Sequence, residues 1–423
     1  MLINSSILKT TNLPLLRYQL ENIIKMKSTC SMIRLSVILL LVIQLNAQDR
    51  IITTGVPFLL ITPDARAAGM GELGVSTSAD AYSQQWNPAK YSFSESKSGL
   101  GLSYTPYLRQ IVDDIFLGNL TYFIRTNERG AWATSFKYFS YGNVQFNKMM
   151  SGTIIDQGSK RPNEMTLDLS YSLKLSEKFS MSVAGRFLRS DLKISTDMDA
   201  TSANSLGVDI SGFYQGSTFD LGSFDGLARV GFNFSNIGPR LKYDEGGQMD
   251  FIPTNLRFGS GLDLIFDPSN VLGIHLEFSK LLVPTPEAFY DNNNSLKGYR
   301  QPDVNFLNGI FKSFNDAPGG LKEELKEITW AIGFEYIFAK TLALRSGYFN
   351  ESEEKGSRKY MTFGAGVKLN GIVIDISYLS SMSKIRNPLE NTLRFSLSFN
   401  FDGLGLQPLP QESQDSDIGS VSM

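Results

Sequence analysis

The sequence predicts an all-β fold: a transmembrane antiparallel β-barrel of about 14 strands, with an N-terminal hatch in its lumen. Three observations carry this expectation. From residue 98 onward, segments of ten or so residues alternate apolar and polar side chains again and again. The polar positions in that alternation include many charges. The chain also opens on a stretch laid out like an export leader, and no apolar run of the roughly 20 residues a membrane helix needs follows it.

Composition sets the bounds. At 423 residues the chain is long enough for two or three ordinary domains or for one large barrel. A net charge of -2 offers no basic field for nucleic acid. With 29 Phe, 17 Tyr and 37 Gly against a single Cys, it suits a β-rich envelope protein.

The leader comes first. Lys25, Lys27 and Arg34 form a basic region ahead of the apolar run 35–43, and Leu45-Asn46-Ala47 supplies a small residue for cleavage before Gln48. Residues 1–47 are thus expected to be an upstream extension plus signal peptide, with Met26 a credible start. A retained single-span anchor is the competing reading, but the run is too short to cross a bilayer. Cys30 precedes the apolar run, so lipidation is not supported, and cleavage leaves no thiol for disulfides, catalysis or metal.

Strands follow. Met165, Leu167, Leu169, Tyr171, Leu173 and Leu175 share one face, with Thr166, Asp168, Ser170, Ser172 and Lys174 on the other. Near the end Leu393, Phe395, Leu397 and Phe399 alternate with Arg394, Ser396 and Ser398. Fourteen such segments lie near 98–107, 115–125, 131–140, 164–175, 178–190, 203–214, 226–236, 254–266, 270–280, 328–338, 341–350, 360–369, 371–380 and 391–401. An even number is what a closed antiparallel barrel requires.

A soluble sandwich or propeller would alternate too, with its apolar face inward. Three features favour the membrane. The segments match the ~9–11 residues a tilted spanning strand needs. Aromatics such as Trp132, Tyr171, Trp330 and Tyr348 fall toward segment ends, where interfacial girdles lie. The opposite faces carry Asp168, Arg186, Asp209, Glu335, Arg345 and Asp375, too many charges for a dry core.

Residues 48–97 precede the first strand and read as a hatch folded inside the barrel of 98–401. A long insertion at 283–327 joins two strands and holds a short amphipathic helix near 321–328. Connections this long are uncommon and usually functional. Others lie at 141–163, 191–202 and 237–253, and 402–423 reads as a flexible polar C-terminal tail.

Candidate chemistry is sparse. His275, the sole histidine, sits on a polar face beside Glu277, and no G-x-S-x-G elbow accompanies it. Gly69-Met70-Gly71-Glu72-Leu73-Gly74 fits G-x-G-x-x-G but lacks the flanking strand and helix of a nucleotide fold, so tight turns and close packing explain it better. No carboxylate spacing suits a metal. The expectation is no catalytic residue, no cofactor and no metal, in a non-enzyme.

Thr54-Gly55-Val56-Pro57-Phe58-Leu59, Pro63-Asp64-Ala65-Arg66-Ala67-Ala68-Gly69-Met70-Gly71 and Gln85-Trp86-Asn87-Pro88-Ala89-Lys90 resemble the N-terminal signature of the PorV family. These are outer-membrane barrels of the type IX secretion system of Bacteroidota. The segment 303–311 extends the likeness into the barrel. The resemblance implies a FadL-like barrel of fourteen strands in the outer membrane, acting as a shuttle. It would bind the C-terminal domain of secreted cargo beside a SprA/Sov-like translocon barrel and pass it to a PorU-like sortase, surrounded by outer-membrane lipid and lipopolysaccharide. On that reading Tyr141, Phe146, Tyr243 and Phe251 are expected as cargo-facing loop anchors, and Arg66, Trp86 and Asn87 as hatch contacts to the lumen wall. Two other readings stay open: a FadL-like transporter of hydrophobic small molecules, and a barrel-embedded lipid deacylase that would have to use His275.

Overall fold

The computed structural model describes residues 51–109, 112–150, 153–192, 202–243, 248–383 and 390–404. The expected leader at 1–47 and all but the start of the expected tail at 402–423 lie outside the described residues.

Fourteen long strands form the wall: β1 Ser98–Pro106, β2 Ile115–Arg125, β3 Gly130–Tyr141, β4 Asn163–Ser176, β5 Phe179–Asp191, β6 Ala203–Gln215 and β7 Asp225–Ile237. Then come β8 Asn255–Asp267, β9 Asn270–Leu281, β10 Ile328–Phe338, β11 Leu342–Asn350, β12 Lys359–Leu369, β13 Ile372–Ser381 and β14 Leu393–Asn400. Each pairs antiparallel with its neighbours, and β1 pairs with β14 through Leu100↔Phe399 and Leu102↔Leu397, which closes the barrel. Closure removes every sheet edge from the wall, which is what allows a sheet to sit in lipid.

The wall is inside out compared with a soluble domain. On β4, Leu167 and Leu169 are each 55% exposed while Asp168 between them is 1% exposed. The same inversion recurs at Phe395 against Arg394 and at Phe278 against His275 and Glu277. Apolar side chains therefore meet lipid, and the polar ones line the interior. Trp330 on β10 lies 5.5 Å from Tyr348 on β11, and Trp132 on β3 lies 4.8 Å from Tyr171 on β4, as cross-strand aromatic pairs.

The two rims differ. On one, connections are short: 126–129, 177–178, 268–269, 339–341 and 370–371, with 216–224 the longest. The turn Asn370-Gly371 has φ of 45° and 85°, the left-handed pair that a two-residue hairpin needs and that Asn-Gly supplies. On the other rim lie 107–114, 142–162, 192–202, 238–254, 282–327, 351–358 and 382–392. Barrels of this kind place short turns in the periplasm and long loops outside. The insertion joining β9 to β10 is thus on the outer rim, with the other long loops.

Several loop regions hold more order than alternation foretold. The β3–β4 connection is a hairpin, Val144–Met150 with Thr153–Lys160, and the insertion holds a second, Glu287–Tyr290 with Leu296–Arg300. A helix at Phe306–Lys312 precedes the expected short one, which is Leu321–Glu324. Asn305 caps the first helix by accepting from Asn308 N at 2.8 Å. Gly309 in its centre weakens the sequence signal, yet it is needed there, since an added Cβ would stand 2.7 Å from the Phe251 ring. The last strand stops at Asn400, one residue before the expected end, and Phe401–Leu404 form a 3-10 turn.

Candidate functional site

Residues 56–97 pack against the inward faces of the strands. Their short helices, Ala65–Ala68 and Ser83–Trp86, are single turns, so the wall and not helix propensity holds them in place. The segment starts at the outer rim, where Val56, Phe58 and Leu59 pack with Leu117, Phe139, Leu188, Leu241 and Ile252 into an apolar cluster. It ends near the short-turn rim, where the Phe93 ring meets Phe213 at 5.5 Å and the Lys174 ammonium at 4.6 Å.

Backbone contacts fix the middle of the hatch. Ala65 N donates to Ser396 Oγ at 2.7 Å, and Gly71 N to Thr362 Oγ1 at 2.7 Å. Glu277 Oε2 accepts from Gly74 N at 2.8 Å and Val75 N at 2.9 Å. The Tyr82 hydroxyl lies 2.8 Å from both Leu102 O on β1 and Leu397 O on β14, sharing its proton across the closing seam. The glycine run of the hatch has a steric cause. Gly71 adopts φ 78°, and an added Cβ on Gly69 or Gly74 would stand 3.0 Å from Gly364 or 2.5 Å from the Trp86 ring. The run is thus a packing motif.

Arg66 joins hatch to wall. Its Nε and Nη2 grip both oxygens of Glu335 at 3.0 and 2.7 Å, and Nη1 reaches Asp80 at 2.7 Å. Glu335 also accepts from Arg345 Nε at 2.7 Å, and Arg345 Nη1 donates to Asp375 at 2.7 Å. A second chain runs from Arg394 Nη2 to Glu72 at 2.6 Å, with the Tyr360 hydroxyl donating to the other Glu72 oxygen at 2.7 Å. A third joins Arg186 to Asp168 and Asp209 within the wall. Charges that would be costly alone are therefore paired, bidentate or both.

Trp86 and Asn87 take different parts from Arg66. Trp86 Nε1 donates to Asp64 at 2.8 Å within the hatch, and the Arg257 guanidinium of the wall lies 4.7 Å over its ring. Asn87 Nδ2 donates to Val75 O at 3.0 Å and to Gly212 O of β6 at 2.9 Å. Sequence reasoning missed Glu72, Asp64 and Glu277 as hatch contacts; Asp64 stands within the recognised signature and Glu72 directly after its second stretch, and these were the available clue.

The loop aromatics expected as outward anchors turn inward. Phe251 is 3% exposed, covered by Arg240, whose guanidinium lies 4.6 Å above the ring, and by Gly309. The Tyr141 hydroxyl donates to Glu164 at 2.8 Å, and its ring lies edge-on to Phe139 at 4.8 Å. The Tyr243 hydroxyl is 3.1 Å from Ser190 Oγ. Large rings on a loop find the apolar cluster of the mouth more favourable than water. Phe146 lies in the β3–β4 hairpin, and its side chain is outside what the structure describes. The insertion carries five exposed apolar side chains, Leu307, Phe311, Phe314, Leu321 and Leu325, of which Phe311 is 76% and Leu321 73% exposed, while Met149, Met249 and Met382 stand exposed on other loops of the outer rim.

Ion pairs brace that insertion. Lys280 on β9 reaches Glu324 at 3.1 Å and Glu327 at 2.7 Å, and Lys355 of the next loop reaches Glu323 at 2.6 Å and Glu327 at 3.1 Å. Burial works against the Lys355 charge, but the Glu323 and Glu327 carboxylates outweigh it and hold its pKa above the usual lysine value. Burial raises the Asp316 carboxyl, although Thr285 donates to it from both N and Oγ1.

His275 is buried in the lumen wall against Gly261 and Gly273, and its Nδ1 has no hydrogen-bond partner. It makes no ion pair with a carboxylate among the described residues. No group of three or more His, Cys, Asp or Glu among the described residues could hold a metal ion. A cavity of about 90 Å³ lies between hatch and wall near the outer rim, lined by Glu72, Arg257, Glu277, Glu351 and Arg358 with Phe349 and Trp330.

No curated protein matches the chain. Among solved structures it is similar to the Pseudomonas putida toluene transporter TodX, at 15% identity and a TM-score of 0.48, covering 81% of this chain and 99% of that one. It is similar as well to a Pseudomonas aeruginosa FadL homologue (11% identity, TM-score 0.44, 81% and 99% covered). The Ralstonia pickettii toluene transporter TbuX gives 12% identity, a TM-score of 0.44 and coverage of 81% and 97%. The sequence profile of the family described as Type IX secretion system protein PorV matches residues 44–288, more than half of the chain. With that match, and with fourteen closed strands turned apolar side out, this outer-membrane barrel belongs to the PorV family of the type IX secretion system.

Proposed function

We propose that the barrel is a non-enzymatic shuttle of the type IX system, binding the C-terminal signal domain of secreted cargo at the SprA/Sov-like translocon and handing it to a PorU-like sortase for attachment at the surface. The observation that carries this reading is the outer insertion, where Leu307, Phe311, Phe314, Leu321 and Leu325 stand exposed on a scaffold braced by ion pairs. Exposed apolar side chains grouped on a rigid base are what a protein-binding surface offers. The cargo-facing surface is therefore assigned to the insertion, in place of Tyr141, Tyr243 and Phe251. Arg66, Trp86 and Asn87 keep the hatch seated so that the lumen stays sealed while cargo is handled outside.

A FadL-like transporter of hydrophobic small molecules is the second reading, and the lumen argues against it. An apolar cavity of about 150 Å³ is the size known to admit benzene. The cavity here is about 90 Å³ and sets charged side chains, Glu72, Arg257, Glu277, Glu351 and Arg358 among them, beside Trp330 and Phe349, and the apolar cluster at the mouth is packed by Val56, Phe58 and Leu59.

Pull-down of the affinity-tagged barrel from native membranes tests the shuttle. Cargo recovered with its C-terminal domain uncleaved is expected. Deletion of the gene without any defect in surface delivery would sink the proposal.

A further inference from the structure

The first described residues lie at the outer rim, at the opposite end of the barrel from the start of β1. Gly55 N donates to Phe251 O at 2.9 Å. Gln301 Nε2 donates to Thr53 O at 2.6 Å, and its Oε1 accepts from Phe251 N at 3.0 Å. The Gln301 side chain thus spans three segments: the N-terminal stretch, the β7–β8 loop and the insertion. It is 7% exposed, so a partnerless amide there would be costly. Gly55 fits closely, because an added Cβ would stand 3.1 Å from Asp250 Cβ. From Gly55 the chain descends the lumen and reaches Ser98 at the short-turn rim. The span is feasible, since the hydrocarbon core is only about 30 Å thick and a strand advances roughly 3.3 Å per residue.

We propose that residues 51–55 are an extracellular strap: the chain ahead of the hatch surfaces outside the cell and ties the β7–β8 loop to the insertion through Gln301. The strap is independent of what the platform binds. Ile51, the first residue of the strap, is 52% exposed. The hatch is then a through-thread with both of its ends held, one at each rim, and the strap is its outer anchor.

Single cysteines in the full-length chain test this, in a Cys30→Ser background that holds no other thiol. Ile51→Cys, Asn292→Cys at the tip of the outer hairpin and Asn370→Cys at a short turn are each exposed to a membrane-impermeant maleimide on intact cells. Ile51→Cys is expected to label as fully as Asn292→Cys, with Asn370→Cys labelled only after permeabilisation. Labelling of Ile51→Cys only after permeabilisation overturns the strap. The clamp is tested separately with Gln301→Ala, keeping Ile51→Cys as reporter. Protease added to intact cells should cut within 238–254 about 30-fold faster, the effect of two lost hydrogen bonds. Unchanged cleavage there would overturn the role of Gln301.

Discussion

Gly347 on β11 and Gly71 in the hatch meet backbone to backbone: a methyl group placed on Gly347 would stand 2.2 Å from the Gly71 nitrogen. Plug and wall are fitted to each other at main-chain distance, and no flexible side chain lies between them to give way. Gly347→Val should therefore lift this part of the hatch. Overpacking costs about 1–3 kcal/mol, so the urea midpoint of the detergent-solubilised barrel should fall, and trypsin should gain access at Arg66. An unchanged midpoint with a protected Arg66 would contradict the close fit.

Arg66→Ala leaves Asp80 without its arginine and Glu335 dependent on Arg345 alone. Breaking a buried pair from one side costs about 3–5 kcal/mol. Arg66→Lys should recover only part of the loss, because an ammonium cannot grip both Glu335 oxygens. Conductance in planar bilayers reads the seal directly, and Arg66→Ala should pass more ions than the parent.

His275→Ala should leave cargo delivery intact, since the imidazole faces the lumen wall and has no carboxylate partner among the described residues. Quantifying surface-attached cargo in cells carrying this variant is sufficient. A delivery defect with normal barrel stability would reopen an enzymatic or proton-coupled role.

Phe311→Ser combined with Phe314→Ser should spare the barrel, because exposed positions usually shift stability by no more than about 0.5 kcal/mol. Cargo recovered in pull-downs should drop about tenfold or more, as for loss of a binding hot spot. Equal recovery would move the cargo-facing surface away from the insertion.

Much of the wall was legible in the sequence because period two is a local signal. Leu167, Asp168 and Leu169 declare two faces by themselves, and all fourteen strands fall within a residue or two of where alternation put them. What joins hatch to wall was not legible in that way. Arg66 and Glu335 are 269 residues apart, and nothing local selects Glu335 from the other lumenal carboxylates. The loop aromatics misled for a related reason. Phe251 looks exposed in a polar loop, but Arg240 and Gly309 cover it, and only the folded outer rim brings them together. The helix at Phe306–Lys312, with Leu307 and Phe311 on its outer face, was hidden by its seven-residue length and its central glycine.

The Tyr82 hydroxyl touches the first and last strands at once, 2.8 Å from a carbonyl on each. That contact makes the plug part of the seam. The hatch lies in the bore like a mandrel, and its tyrosine marks the place where the two ends of the sheet meet.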